Sequence, residues 1–91
     1  PEELIVSALA VCFNMKLAFV INEADFKPKE LNTNALLTFN DGSVKSIELS
    51  VIGKVPNLKE EKFIELAEYA KNNCPISGLL NCDILLNASL Q

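Results

Sequence analysis

The sequence predicts a single α+β domain in the order helix, strand, strand, helix, strand. Three observations carry that expectation. A long apolar run follows a helix start. Two alternating stretches flank an Asp-Gly turn. An amphipathic helical stretch then leads into a last alternating segment. With a hairpin at its centre, the sheet is expected to be antiparallel.

The first helix opens at Pro1-Glu2-Glu3. Proline suits the first helical position, and carboxylates suit the positive end of the helix dipole. It is expected to run to about Ala24. Between Leu4 and Ile21 only Ser7, Asn14 and Lys16 are polar. Eighteen residues at ~1.5 Å each span ~27 Å, just long enough to cross a bilayer. Lys16 argues against that, at a cost of ~2.5–3.5 kcal/mol inside the membrane. The acidic flank is also wrong for a signal peptide. A helix apolar on nearly every face is expected instead to be buried on all sides, between sheets or against its own copy.

Asp25-Phe26-Lys27-Pro28 reads as a loop. Leu31, Thr33, Ala35, Leu37 and Phe39 then alternate with mostly polar neighbours, as a strand does. Asn40 to Ser43 reads as the hairpin turn. Ile47, Leu49, Val51 and Val55 share one face of the second strand, which Pro56 ends. Asn57 with Glu60 reads as an N-cap and its capping-box partner. The second helix is expected to reach about Asn73. Phe63, Leu66, Ala67, Ala70 and Cys74 form its inward stripe. Cys82, Ile84, Leu86, Ala88 and Leu90 alternate as the last strand.

Composition narrows the chemistry. The chain has 91 residues, eight Lys and Arg together against twelve acids, and no His. Every one of those eight cations is Lys. A net charge of -4 argues against nucleic acid, because neutralising phosphates needs clustered basic residues. Without His there is no imidazole to ligate a metal or act as a general base, and neither metal nor cofactor is expected. The three Cys have no close CxxC spacing, which fits neither a disulfide framework nor a zinc site. It fits free thiols in a reducing, cytoplasmic compartment. The chain is 49% hydrophobic, with mean hydropathy +0.23. So small a domain cannot hide that much apolar surface, so a homodimer is expected.

Taken alone, Cys12 and Cys82 read as small core hydrophobes. Cys74 differs, because it stands before Pro75-Ile76-Ser77, where it can open a following turn. The stretches "PEELIVSALAVCFNM" and "AKNNCPISGLL" bring both thiols into a pattern. The first resembles the central-helix motif of the OsmC/Ohr family, the osmotically inducible and organic hydroperoxide resistance proteins. In that motif A-x-C-F follows ten residues after the Glu of N-P-E-x-L, the spacing of Glu2 and Cys12 here. The second resembles the family's A-K-x-x-C-P-[VI]-S. "GKVPNL" and "KFIELAEYAKNNCP" are similar as well, and "CFNM" and "FKPKEL" look closer to the OsmC branch.

The resemblance covers the whole chain and implies the OsmC-like fold, with family members carrying a further block of strands ahead of it. The 91 residues are thus expected to form one domain lacking those strands. It also implies a thiol peroxidase for organic hydroperoxides, and for hydrogen peroxide as well. Cys12 would be the attacking thiol, Cys74 the resolving thiol, and Glu2 the carboxylate that orients an activating Arg. A dithiol, such as a lipoylated protein, would restore the pair. The chain has no Arg, so that residue is expected from the upstream strands or another chain. On the bare residues Glu2 is a helix-start acid and Cys82 is structural. The alternative reading is a non-catalytic dimerisation or binding module.

Overall fold

The computed structural model describes residues 2–40, 43–76, 78 and 82–91. It contains α1 (Glu2–Glu23), β1 (Glu30–Asn40), β2 (Ser43–Lys54), α2 (Glu60–Asn72) and β3 (Asp83–Leu90). The expected turn residues Asp41 and Gly42 lie outside the described residues.

The three strands form one sheet in the order β1-β2-β3. β1 and β2 pair antiparallel, with Leu31 opposite Gly53, Thr33 opposite Val51, Ala35 opposite Leu49 and Leu37 opposite Ile47. β3 corrects the expectation of an antiparallel sheet. It pairs parallel to β2, setting Ile84 beside Ile47, Leu86 beside Leu49 and Ala88 beside Val51. The physical reason is the connection. α2 lies between β2 and β3, and a crossover through a helix returns the chain to the same end of the sheet.

The alternation read from the sequence matches the register. One face of β2, through Ile47, Leu49, Val51 and Val55, is buried beneath both helices, while Asn32, Asn34 and Asn87 face outward. α1 lies over β1, α2 lies over β3, and the two helices touch each other. Leu9, Phe13, Leu17, Val20 and Ile21 form the buried stripe of α1. Thr33 Oγ1 donates to Asn14 Oδ1 at 2.8 Å and ties the helix to β1. The apolar length of α1 would let it cross a membrane. In the structure its stripe of Leu9, Phe13, Leu17 and Ile21 packs into the core.

Within the single chain α1 is buried on one face and exposed on the others. Leu4 is 76% exposed, Val11 59% and Met15 69%. A single sheet with a layer of helices on one face covers only one side of each helix.

The helix ends where expected, and the backbone shows why. Asp25 adopts φ 67, its N–H bonds Asn22 O at 3.0 Å, and Phe26 N–H bonds Ile21 O at 3.1 Å. This is a Schellman closure with Asp in the left-handed position. Asn57 is not the N-cap of α2. It sits at φ 68 after Pro56, and Leu58 N–H bonds Val55 O at 3.4 Å. Pro then Asn at the two centres of a turn is type II chemistry, and it uses up Asn57 before the helix begins. The N-cap is Lys59, with no side-chain cap, while Glu60 and Glu61 suit the dipole of the first turn.

Phe63 closes the core over Gly53. A Cβ on Gly53 would lie 2.8 Å from Phe63 Cζ and 3.0 Å from Leu31 Cδ2. Phe63 is fully buried, so its ring has little room to give way. Gly53→Ala is therefore expected to destabilise the fold by about 1–3 kcal/mol. Urea unfolding followed by circular dichroism checks this, and an unchanged midpoint would mean that α2 lifts without cost.

Candidate active site

The two elements that carry the motifs meet at their thiols. Cys12 lies at mid-length of α1, between buried Leu9 and Phe13, turned off the core towards α2. At 100° per residue, the helix places Cys12 and Lys16 on this flank, with the exposed Leu4, Ala8, Val11 and Met15 opposite the core. Cys74 follows α2 immediately. Asn73 fixes the helix end, its N–H at 3.0 Å and its Nδ2 at 2.8 Å both donating to Tyr69 O. Lys71 Nζ donates to Ile84 O at 3.3 Å, and its ion pair with Glu68 spans 3.5 Å. The Lys71 bond to Ile84 ties the end of α2 to β3 just before the segment that holds Cys74.

Cys74 Sγ donates to Cys12 Sγ at 2.8 Å, across 62 positions of sequence. Cys74 is 3% exposed, while Cys12 is half-buried. No disulfide joins them in the structure. The pair therefore joins an approachable sulfur to a shielded one, close enough that a small movement would bring them to the ~2.05 Å of a disulfide bond. Cys74 also opens a turn, as its position before Pro75 suggests. Its carbonyl accepts the Gly78 N–H at 3.3 Å. Ser77 lies outside the described residues.

An open apolar depression of about 500 Å³ borders Cys12, lined also by Ala8, Val11, Met15, Lys16, Pro75 and Ile76. A small organic molecule entering it would meet Cys12 Sγ before Cys74. Sequence reasoning identified the thiols but not this lining. The signal was present, since Ala8, Val11, Cys12 and Met15 recur at the three- and four-residue spacing of one helix side.

Two residues remain to be placed: Cys82, which the sequence reads as structural, and Glu2. Cys82 is a half-buried free thiol just before β3. Glu2 begins α1, and its side chain lies outside the described residues. Ten residues of unbroken helix separate its backbone from Cys12 by ~15 Å along the axis.

Residues 1–88 match the family described as OsmC-like protein. The chain belongs to the OsmC-like family. It is 33% identical over 95 residues to the peroxiredoxin OsmC of Escherichia coli, an alignment that covers 100% of this chain and 66% of that protein. The chain thus spans just under two thirds of that curated relative.

Two solved structures place the fold in the same family. An OsmC-like protein from Mycoplasma pneumoniae superposes with a TM-score of 0.88 at 19% identity, covering 99% of this chain and 70% of that one. The organic hydroperoxide resistance protein OhrB of Bacillus subtilis superposes with a TM-score of 0.67 at 26% identity, covering 100% and 69%. The OsmC-like architecture expected from the motifs is therefore the observed one.

Proposed function

We propose that the protein is a thiol peroxidase that reduces organic hydroperoxides through Cys12 and Cys74. One observation carries this reading above the others: the 2.8 Å approach of the two sulfurs, one exposed to an apolar depression and one shielded. The match to a peroxiredoxin supports it.

The thiolate of Cys12 attacks the terminal oxygen of the hydroperoxide, and the O–O bond breaks as an S–O bond forms. The alkoxide leaves and takes up, through water, the proton that Cys12 lost. Cys12 is left as a sulfenic acid. The Cys74 sulfur then attacks the sulfenic sulfur, forming the disulfide and releasing water. Two thiols supply the two electrons that reduce the peroxide to alcohol and water. A dithiol reductant of the lipoyl type returns both sulfurs to thiols by exchange.

Glu2 and an Arg from outside these 91 residues complete the reading, since developing charge on the peroxide calls for a cation. The exposed stripe Leu4, Ala8, Val11 and Met15 supports a homodimer built on α1. Neither a membrane nor a nucleic acid enters this reading. The cytoplasm, where thiols stay reduced, suits it.

The test is what becomes of the Cys12 sulfenic acid. In the unsubstituted protein, one equivalent of cumene hydroperoxide should consume two thiols and give one Cys12–Cys74 disulfide by peptide mapping. In Cys74→Ser the sulfenic acid has no partner and should climb to sulfinic acid under excess peroxide, adding two oxygens at Cys12. An unmodified Cys12 in both proteins would replace the peroxidase with the non-catalytic module.

A further inference from the structure

Lys71 stands three residues before Cys74, and the reaction above gives it no part. Cys74 sits where α2 has ended, so helix geometry no longer fixes its thiol. The two Asn73 bonds shape that end, but both return to Tyr69 within α2. They do not set where the end lies relative to α1. Lys71 reaches another element. Its Nζ donates to Ile84 O of β3 at 3.3 Å and pairs with Glu68 at 3.5 Å. Ile84 stands beside Ile47 of β2, and Ile47 shares the buried cluster of Leu9 and Phe13, which flank Cys12 on α1. The bond therefore ties the end of α2 to the sheet on which α1 packs.

Packing alone leaves that end loose. The buried residues in the second half of α2 are Ala67 and Ala70, whose methyl groups make few contacts each. The large buried side chain of α2, Phe63, lies near the opposite end. A directional hydrogen bond supplies what the alanines do not. We propose that Lys71 is a positioning residue for Cys74, holding the end of α2 so that the Cys74 sulfur stays beside that of Cys12. Attack on a sulfenic sulfur needs that approach, and a displacement on the order of 1 Å costs about a hundredfold in rate. Lys71 thereby governs how the Cys12 sulfenic acid divides between two fates. A second hydroperoxide oxidises it to sulfinic acid and departs as alcohol, whereas prompt attack by Cys74 forms the disulfide and releases water.

The proposal rests on the peroxidase reading, and its test keeps the two apart. Reduced protein is treated with rising cumene hydroperoxide, and Cys12 is read by mass spectrometry as disulfide or sulfinic acid. Lys71→Met keeps the apolar stem and loses the donor. Its half-conversion to sulfinic acid should come at about tenfold less peroxide, while sulfenic acid forms within about twofold of the unsubstituted rate. Lys71→Arg, which still donates, should bring the threshold back to within about threefold. Glu60→Ala is the control for stability. Glu60 Oε2 accepts the Leu90 N–H at 3.2 Å and ties the start of α2 to the far end of β3, so its loss should leave the threshold in place. Equal shifts in Lys71→Met and Glu60→Ala, or an unshifted Lys71→Met threshold, overturn the assignment. A second arm needs no peroxide: equilibration with reduced and oxidised dithiothreitol. The Cys12–Cys74 disulfide should be about tenfold less favoured in Lys71→Met, a potential ~30 mV less negative. If Cys12 resists peroxide but this potential shifts, the peroxidase reading fails and the positioning role stands. An unchanged potential overturns the positioning role.

Discussion

Cys12→Ser is expected to reduce hydroperoxide consumption by on the order of a thousandfold or more, to the uncatalysed rate. A serine hydroxyl does not ionise near neutral pH, and only the thiolate attacks the peroxide oxygen. The substitution is nearly isosteric and lies at a half-buried position, so the fold should survive it. Cys82→Ser is the control. Cys82 also packs beside the core, and it too is half-buried. Its removal should leave peroxide consumption within about twofold, since no step uses it. The contrast separates chemistry from packing. Comparable losses in both variants, with comparable drops in unfolding temperature, would mean that the thiols serve the core. An inactive Cys12→Ser with an unchanged unfolding temperature would place the reaction at that sulfur. The measurement is residual hydroperoxide by iron-xylenol orange, with stoichiometric reduced protein and no added reductant.

Much of this arrangement was legible in the residues because one face of each element is buried and the periods differ. Thr33, Ala35 and Leu37 repeat at two, as do Ile47, Leu49 and Val51, and these same residues pair across the sheet. Phe63, Ala67, Ala70 and Cys74 repeat at three and four, and all are buried. The direction of β3 was legible too, had the helix between β2 and β3 been taken as a crossover. Period alone carries no direction, because an alternating strand looks the same either way up.

Asn57 was misread because Asn serves both N-caps and left-handed turn positions, and the preceding Pro56 decides between them. The α1 surface was the least legible. Helical periodicity has no contrast in a helix with apolar residues on every side, so the buried stripe emerges only when Phe13 and Leu17 meet the sheet. The meeting of Cys12 and Cys74 could not come from spacing either. It needs α2 to lie beside α1, which tertiary packing decides, and only the motif resemblance anticipated it.

Mixing two inactive variants, Cys12→Ser and Glu2→Ala, and refolding them together is expected to restore about a quarter of the unsubstituted activity. The expectation follows from the helix. Nothing between Glu2 and Cys12 is Pro or Gly, and α1 runs unbroken through both, so ~15 Å of axis separates them in one chain. A carboxylate does not orient a group at a thiolate across that distance. Two copies of α1 packed antiparallel about a two-fold axis would close it. Glu2 and Cys12 of opposite chains draw level when the axis passes beside residue 7. Ser7 and Ala8 there are small and exposed, which lets the helices approach closely, and Leu4 of one chain then faces Val11 of the other. In such a dimer each site would take Cys12 from one subunit and Glu2 from its partner. Random mixing makes about half of the dimers mixed, and each of these holds one intact site of two, hence a quarter. The assay is hydroperoxide consumption beside native mass spectrometry, which counts the mixed dimers. Mixed dimers without activity would put Glu2 in the same subunit's site or outside the reaction, and a monomer at micromolar concentration by light scattering would remove the shared site altogether.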